Sequence, residues 1–61
     1  MNQVQKILME RDGMSAEDAK DTIRAVREDI MDAIMEEDYD SVEDILSSDL
    51  GLEMDYIFDI L

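Results

Sequence analysis

Carboxylates are the only abundant reactive side chains in this sequence. Asp and Glu account for 18 of the 61 residues, while His, Cys and Trp are absent. Without His or Cys the sequence excludes thiol nucleophiles, His-based triads, disulfides and zinc sites built on those ligands. Any catalytic or metal-binding chemistry would therefore have to be carboxylate chemistry.

Calcium is the first ligand that clustered acids suggest. A calcium loop beginning at Asp38 would place Val42 at the fifth position and Glu43 at the sixth, where the sharp turn requires Gly. Its last ligand would be Asp49 instead of the bidentate Glu that closes such loops. The pattern fails at three positions, so we predict no calcium site.

Magnesium is the second metal ion that clustered acids suggest. Acid pairs on a helix, such as Asp29 with Asp32, can hold Mg²⁺ for phosphate chemistry. Such a site also needs Lys or Arg to hold the substrate, and no basic residue follows Arg27. A solvated acidic helix face is the simpler interpretation. We predict no metal, no cofactor and no enzymatic activity.

The net charge of −13 is confined to the second half of the chain. Residues 1–27 hold five basic and five acidic residues, whereas residues 28–61 hold thirteen acidic residues and no basic one. Ten acids fall between Glu28 and Asp49, which in a helix is about one charge per 3.3 Å, close to the spacing of about 3.4 Å along one DNA strand. Such a surface attracts basic grooves. The alternative is that the acidity only keeps the protein soluble.

The spacing of apolar residues predicts an all-α fold. Gly13 ends a first helix, and Ser15 begins a central helix of about 16–37 as its N-cap. Asp40, with Glu43 three residues later, predicts the start of a third helix. The apolar stripe of the central helix consists of Ala19, Ile23, Val26, Ile30 and Ala33.

Gly51 predicts the end of the third helix. A last short helix covers about 54–60, with Ile57, Phe58 and Leu61 facing inward. The sequence thus predicts three to four short helices with one longer central helix, in a single domain of residues 1–61.

So short a chain buries little apolar area, and the area buried roughly balances the entropy of ordering it. We therefore expect homodimerisation to complete the fold. Met31 and Met35, one helical turn apart, are candidates for an adaptable contact surface, with core filling as the alternative. The predicted contact residues for a partner or a second copy are Ile30, Met31, Ile34, Met35, Tyr39, Tyr56 and Phe58.

The segments Arg11–Ala19 (RDGMSAEDA) and Leu50–Leu61 (LGLEMDYIFDIL) resemble the very small acidic helical proteins of bacteriophages and mobile elements, which include nucleic-acid mimics and inhibitors of bacterial defence. The resemblance implies a protein target in a bacterial host instead of a substrate. It supplies no family site residues.

We therefore expect a non-enzymatic inhibitor that covers a basic surface, such as one that binds nucleic acid, of a host defence or DNA-processing protein. The alternative is a homodimeric structural or regulatory module. We expect no direct nucleic-acid binding, because the five basic residues lie beside acids. No signal peptide or membrane span is predicted, so we expect a cytoplasmic location. The residues predicted to contact a basic partner are Asp29, Asp32, Glu36, Glu37, Asp40, Glu43 and Asp44.

Overall fold

Four helical segments joined by short turns form the fold in a computed structural model, which describes residues 3–61. The helices are α1 (Gln3–Asp12), α2 (Ala16–Met35), α3 (Tyr39–Ile45) and α4 (Ile57–Ile60). A π-helical turn, Leu46–Leu50, continues α3, and a 3₁₀ turn, Met54–Tyr56, leads into α4. No strand occurs in residues 3–61. The prediction of an all-α protein with one long central helix is confirmed.

The junction between α1 and α2 forms where the sequence predicted it. Gly13 adopts a φ of +71°, the left-handed conformation that Gly reaches without a steric penalty. The next amide, of Met14, donates to the carbonyl of Leu8 at 3.3 Å. Ser15 then caps α2, because its Oγ accepts a hydrogen bond from the Asp18 amide at 3.1 Å.

The end of α2 forms without a glycine. Glu37 adopts a φ of +59°, and its amide donates to the Ile34 carbonyl at 3.0 Å. The Asp38 amide donates to the Ala33 carbonyl at 2.8 Å. This pair of hydrogen bonds is a Schellman motif with Glu37 at the left-handed position. The central helix therefore ends at Met35, two residues before the predicted end.

Asp38 also begins α3. Its side chain accepts hydrogen bonds from the Ser41 amide at 3.3 Å and from the Ser41 hydroxyl at 2.6 Å. The prediction that Asp40 is the N-cap is wrong: Asp40 lies inside the first turn. Asp38 therefore ends α2 through its amide, which makes one of the two Schellman hydrogen bonds, and begins α3 through its carboxylate.

The core is closed by one chain. It contains the entire predicted stripe of α2, covered by side chains from α1, α3 with its π-helical turn, and α4. The accessible surface of 4185 Å² matches the roughly 4,000 Å² expected for a folded monomer of this mass. One chain therefore covers this stripe. The buried apolar residues are Val4, Leu8, Ala19, Ile23, Val26, Ile30, Ala33, Val42, Leu46, Leu50 and Ile60.

Two arginines of the neutral half hold helix ends of the acidic half. Arg11 donates from Nη2 to the Leu50 carbonyl, and Arg27 donates from Nε to the Ile60 carbonyl, each at 2.6 Å. Carbonyls at the end of a helix lack partners within the helix and carry partial negative charge, which favours a cation there. These bonds join the two halves of the chain across 39 and 33 residues.

The orientation of α4 differs from the prediction. Ile60 is fully buried and Ile57 is half-buried, whereas Phe58 and Leu61 are exposed. Residues three apart share one edge of a helix and the next residue lies about 100° away. Once Ile57 and Ile60 face the core, Phe58 must therefore face solvent. The prediction that Phe58 and Leu61 point inward is wrong.

Candidate interaction surfaces

The distinctive features of residues 3–61 lie on the surface. This part of the chain has no cavity, and no three acidic side chains within it are grouped to hold a metal ion. No helix among these residues has the length and apolar composition needed to cross a membrane. We therefore describe the exposed acidic and apolar groups in turn.

Three of the predicted contact acids lie on one side of α2 and its C-cap, which is Glu36. Asp29, Asp32 and Glu36 follow one another at intervals of three and four residues, which places them on one side of a helix. All three are exposed, and the buried stripe lies on another side of the same helix. We call these three residues the α2 acidic face. The rigid packing of the stripe fixes the direction in which they point.

Three more acids lie on α3. Asp40, Glu43 and Asp44 are exposed, while Val42 turns inward between them. We call these three residues the α3 acidic face. Because α3 packs along α2 and the short turn carrying exposed Glu37 joins them, both faces belong to one helical hairpin. The structure thus presents all seven predicted acids on the surface of that hairpin.

The charge of these acids is not compensated locally. The ion pairs within residues 3–61 join Arg11 to Asp12 at 2.9 Å and Arg24 to Asp21 at 3.8 Å, both in the neutral half. None of the seven predicted acids takes part in an ion pair with another described residue. The hydrogen bond from Arg11 lowers the pKa of the Asp12 carboxyl. The basic residues therefore neutralise their own half and leave the acidic hairpin as an uncompensated negative surface.

The predicted apolar contact residues fall into three groups. Ile30 is fully buried in the core, so its assignment as a contact residue is wrong. Ile34 and Tyr56 are half-buried and pack against the core. The exposed members are Met31, Met35, Tyr39 and Phe58.

A second group of exposed apolar residues was not predicted from the sequence. Met54 is 41% exposed, Phe58 85% and Leu61 50%. Phe58 and Leu61, three residues apart, lie on one side of the last helical turn, and Met54 belongs to the 3₁₀ turn that precedes it. The sequence shows this spacing, but we assigned Phe58 and Leu61 to the core. We call Met54, Phe58 and Leu61 the α4 apolar face.

Comparison with known proteins adds nothing to this geometry: no family model, no curated protein and no solved structure matches the chain.

Proposed function

We propose that this chain is a non-enzymatic binding protein that covers a basic surface of another protein. The α2 and α3 acidic faces make the contact, and the target is a host defence or DNA-processing protein whose basic surface normally holds nucleic acid. A phage or mobile-element origin and action in the bacterial cytoplasm are part of the proposal.

One observation carries the proposal: seven exposed acids lie on one helical hairpin with no ion-pair partner among residues 3–61. Holding like charges together on a folded surface opposes folding. A basic partner would remove that repulsion on binding and would be steered to the site from a distance. The hairpin is also fixed in shape by its buried side, so few degrees of freedom are lost on association.

A structural or regulatory module is the second candidate. Met31 and Met35, one turn apart on α2, are both exposed, and exposed Met side chains adapt to many apolar surfaces. In this alternative a second copy or another protein packs on the two methionines, and the acids serve solubility alone. The two candidates therefore assign binding to different residues.

Charge reversal on the α2 acidic face tests the proposal. The variant Asp29→Lys/Asp32→Lys/Glu36→Lys changes the net charge by six, from −13 to −7. The proposal predicts that it no longer captures the partner that the unmodified chain captures from a bacterial lysate, because attraction becomes repulsion. Circular dichroism should show unchanged helicity.

A matched variant separates local from overall charge. Glu10→Lys/Glu17→Lys/Glu53→Lys alters three exposed acids outside both acidic faces and also reaches −7. We expect this control to retain the partner. A third variant, Met31→Asp/Met35→Asp, should bind under the proposal and fail under the alternative. Retention of the partner by the variant reversed on the α2 acidic face would refute the proposed function.

A further inference from the structure

The α4 apolar face leaves the largest apolar side chain of the last segment in water. Phe58 is the only Phe in the sequence and is 85% exposed. On an α-helix the residue three positions on is a surface neighbour, which here is Leu61, while the exposed Met54 and Asp55 lie in the 3₁₀ turn that leads into α4. The Leu61 amide donates to the Ile57 carbonyl at 3.0 Å, so the helical arrangement extends to Leu61. Phe58 therefore shares this short segment with two other exposed apolar side chains and one exposed acid.

The inner side of the segment is fixed. Ile60 is fully buried, and Ile57 and Tyr56 pack against the core. Arg27 donates from Nε to the Ile60 carbonyl at 2.6 Å. With the inner side held by packing and by this bond, Phe58 is presented outward in one direction. Such preorganisation reduces the entropy lost when a partner binds.

We propose that the α4 apolar face is a docking surface, with Phe58 as its central anchor, for a partner protein whose apolar surface is bordered by Lys or Arg. The inference rests on the proposed function in one respect, the basic character of the partner. It goes further by adding an apolar anchor on a different element. Aromatic residues near the centre of an interface commonly contribute most of the affinity.

Charge decides between this partner and a second copy of the chain. Asp55, three residues before Phe58, is exposed, and residues 28–61 contain thirteen acids and no basic residue. Two copies meeting at Phe58 would bring the acids of both segments together, and the cation that lies beside α4, Arg27, already binds the Ile60 carbonyl. Lys or Arg on a different protein would instead pair with these acids.

A synthetic amphipathic peptide of Leu and Lys is a suitable probe for this chemistry. Titrated into the isotopically labelled full chain, it should shift the backbone amide resonances of residues 53–61. Two control peptides, one with Gln in place of Lys and one with Ser in place of Leu, should each bind more weakly. The first control tests for the basic border and the second for the apolar surface.

Two matched truncations then assign the anchor. Phe58→Ala should weaken binding of the Leu/Lys peptide by about tenfold or more, as expected for a central aromatic contact. Met35→Ala removes a side chain that is 80% exposed on α2 and should change the affinity by less than about twofold. Both variants should melt within a few degrees of the unmodified chain, because neither side chain belongs to the core.

The inference is overturned by resonance shifts confined to α2 and α3, by equal affinity of the two truncated variants, or by full binding of either control peptide. Self-association of the chain that Phe58→Ala abolishes would also overturn it. The outcome can be distinguished from that of the proposed function, whose test alters Asp29, Asp32 and Glu36 and follows a natural partner. Retained peptide binding in Phe58→Ala refutes only the docking surface. Retained partner binding in the charge-reversed chain refutes only the acidic faces.

Discussion

Glu37 offers the sharpest test of the local structure, because a side chain occupies a backbone position that favours Gly. Its φ is +59°, in the left-handed region where a Cβ atom approaches the following carbonyl oxygen. The residue stays there because two Schellman hydrogen bonds end α2 around it and α3 packs back along α2. We therefore predict that Glu37→Gly stabilises the protein.

The magnitude follows from two opposing effects. Relief of the left-handed conformation contributes about 1–2 kcal/mol, and the greater freedom of Gly in the unfolded chain costs about 0.5–1 kcal/mol. Subtracting the two lower values and the two upper values in turn gives a net gain of about 0.5–1 kcal/mol. In a domain of this size about 1 kcal/mol corresponds to about 8 °C in Tm, so the expected increase is about 4–8 °C.

Thermal unfolding followed by circular dichroism measures this gain. Removing a carboxylate from a crowded acidic turn also changes stability, so Glu37→Gln serves as the matched control: it removes the charge and keeps the Cβ atom. Glu37→Gly should melt about 4–8 °C above Glu37→Gln, not merely above the unmodified chain. Equal Tm values for the two variants, or a lower value for Gly, would refute the assignment of backbone strain to this residue.

Other positions yield predictions of the same kind. Ser15→Ala removes the N-cap of α2 and should cost about 1 kcal/mol in urea unfolding. Ile30→Ala leaves a cavity in the core and should lower the free energy of unfolding by about 2–5 kcal/mol in the same assay. The same truncation at a surface position would cost much less. Arg27→Gln removes the hydrogen bond to the Ile60 carbonyl, so amide hydrogen exchange should become faster in α4 while the exchange rates in the first turns of α2 stay the same. The hydrogen bond from Arg11 lowers the pKa of Asp12, so the ionised carboxyl stabilises the folded state above the ordinary pKa of 3.8, and this stabilisation is lost as the pH falls through the lowered pKa. The difference in Tm between the unmodified chain and Asp12→Asn should therefore be constant from about pH 7 to pH 5. It should shrink below pH 3.8.

The parts of the fold that the sequence predicts correctly are those set by local chemistry. Gly13 and Gly51 both adopt positive φ values, and Ser15 caps α2, because these residues favour their backbone conformations whatever packs against them. The stripe of α2 is predictable for a related reason. Twenty residues span more than five turns, so only one side of the helix fits the apolar pattern.

The parts that could not be predicted depend on packing between distant segments. No Gly or Pro marks the end of α2, so the turn at Glu37 follows from the return of α3 along α2. The single turn of α4 contains too few residues for the apolar pattern to distinguish an inward Phe58 from an inward Ile60. The structure has Ile60 inward, and Arg27, 33 residues earlier, donates a hydrogen bond to the Ile60 carbonyl. The apolar area that 61 residues can bury roughly balances the entropy of ordering them, so the sequence does not determine whether one chain or two closes the core.

The acidic surface was predictable in composition and not in arrangement. The sequence identified the seven acids, but their lack of ion pairs follows from the positions of the basic residues in the fold. Arg11 and Arg27 bind helix-end carbonyls instead of acids of the second half. Lys6, Lys20 and Arg24 lie within the neutral half. This placement leaves the hairpin uncompensated.

Competition between nucleic acid and this protein for its captured partner tests the central claim most directly. With the purified partner immobilised and the chain bound at low salt, duplex DNA or RNA is titrated into the flow and release of the chain is measured. The account predicts that the partner binds nucleic acid by itself, that nucleic acid displaces the chain in proportion to its occupancy of the site, and that added salt slows association more than it speeds dissociation. A ternary complex in which nucleic acid and the chain bind together without mutual loss of affinity would contradict it.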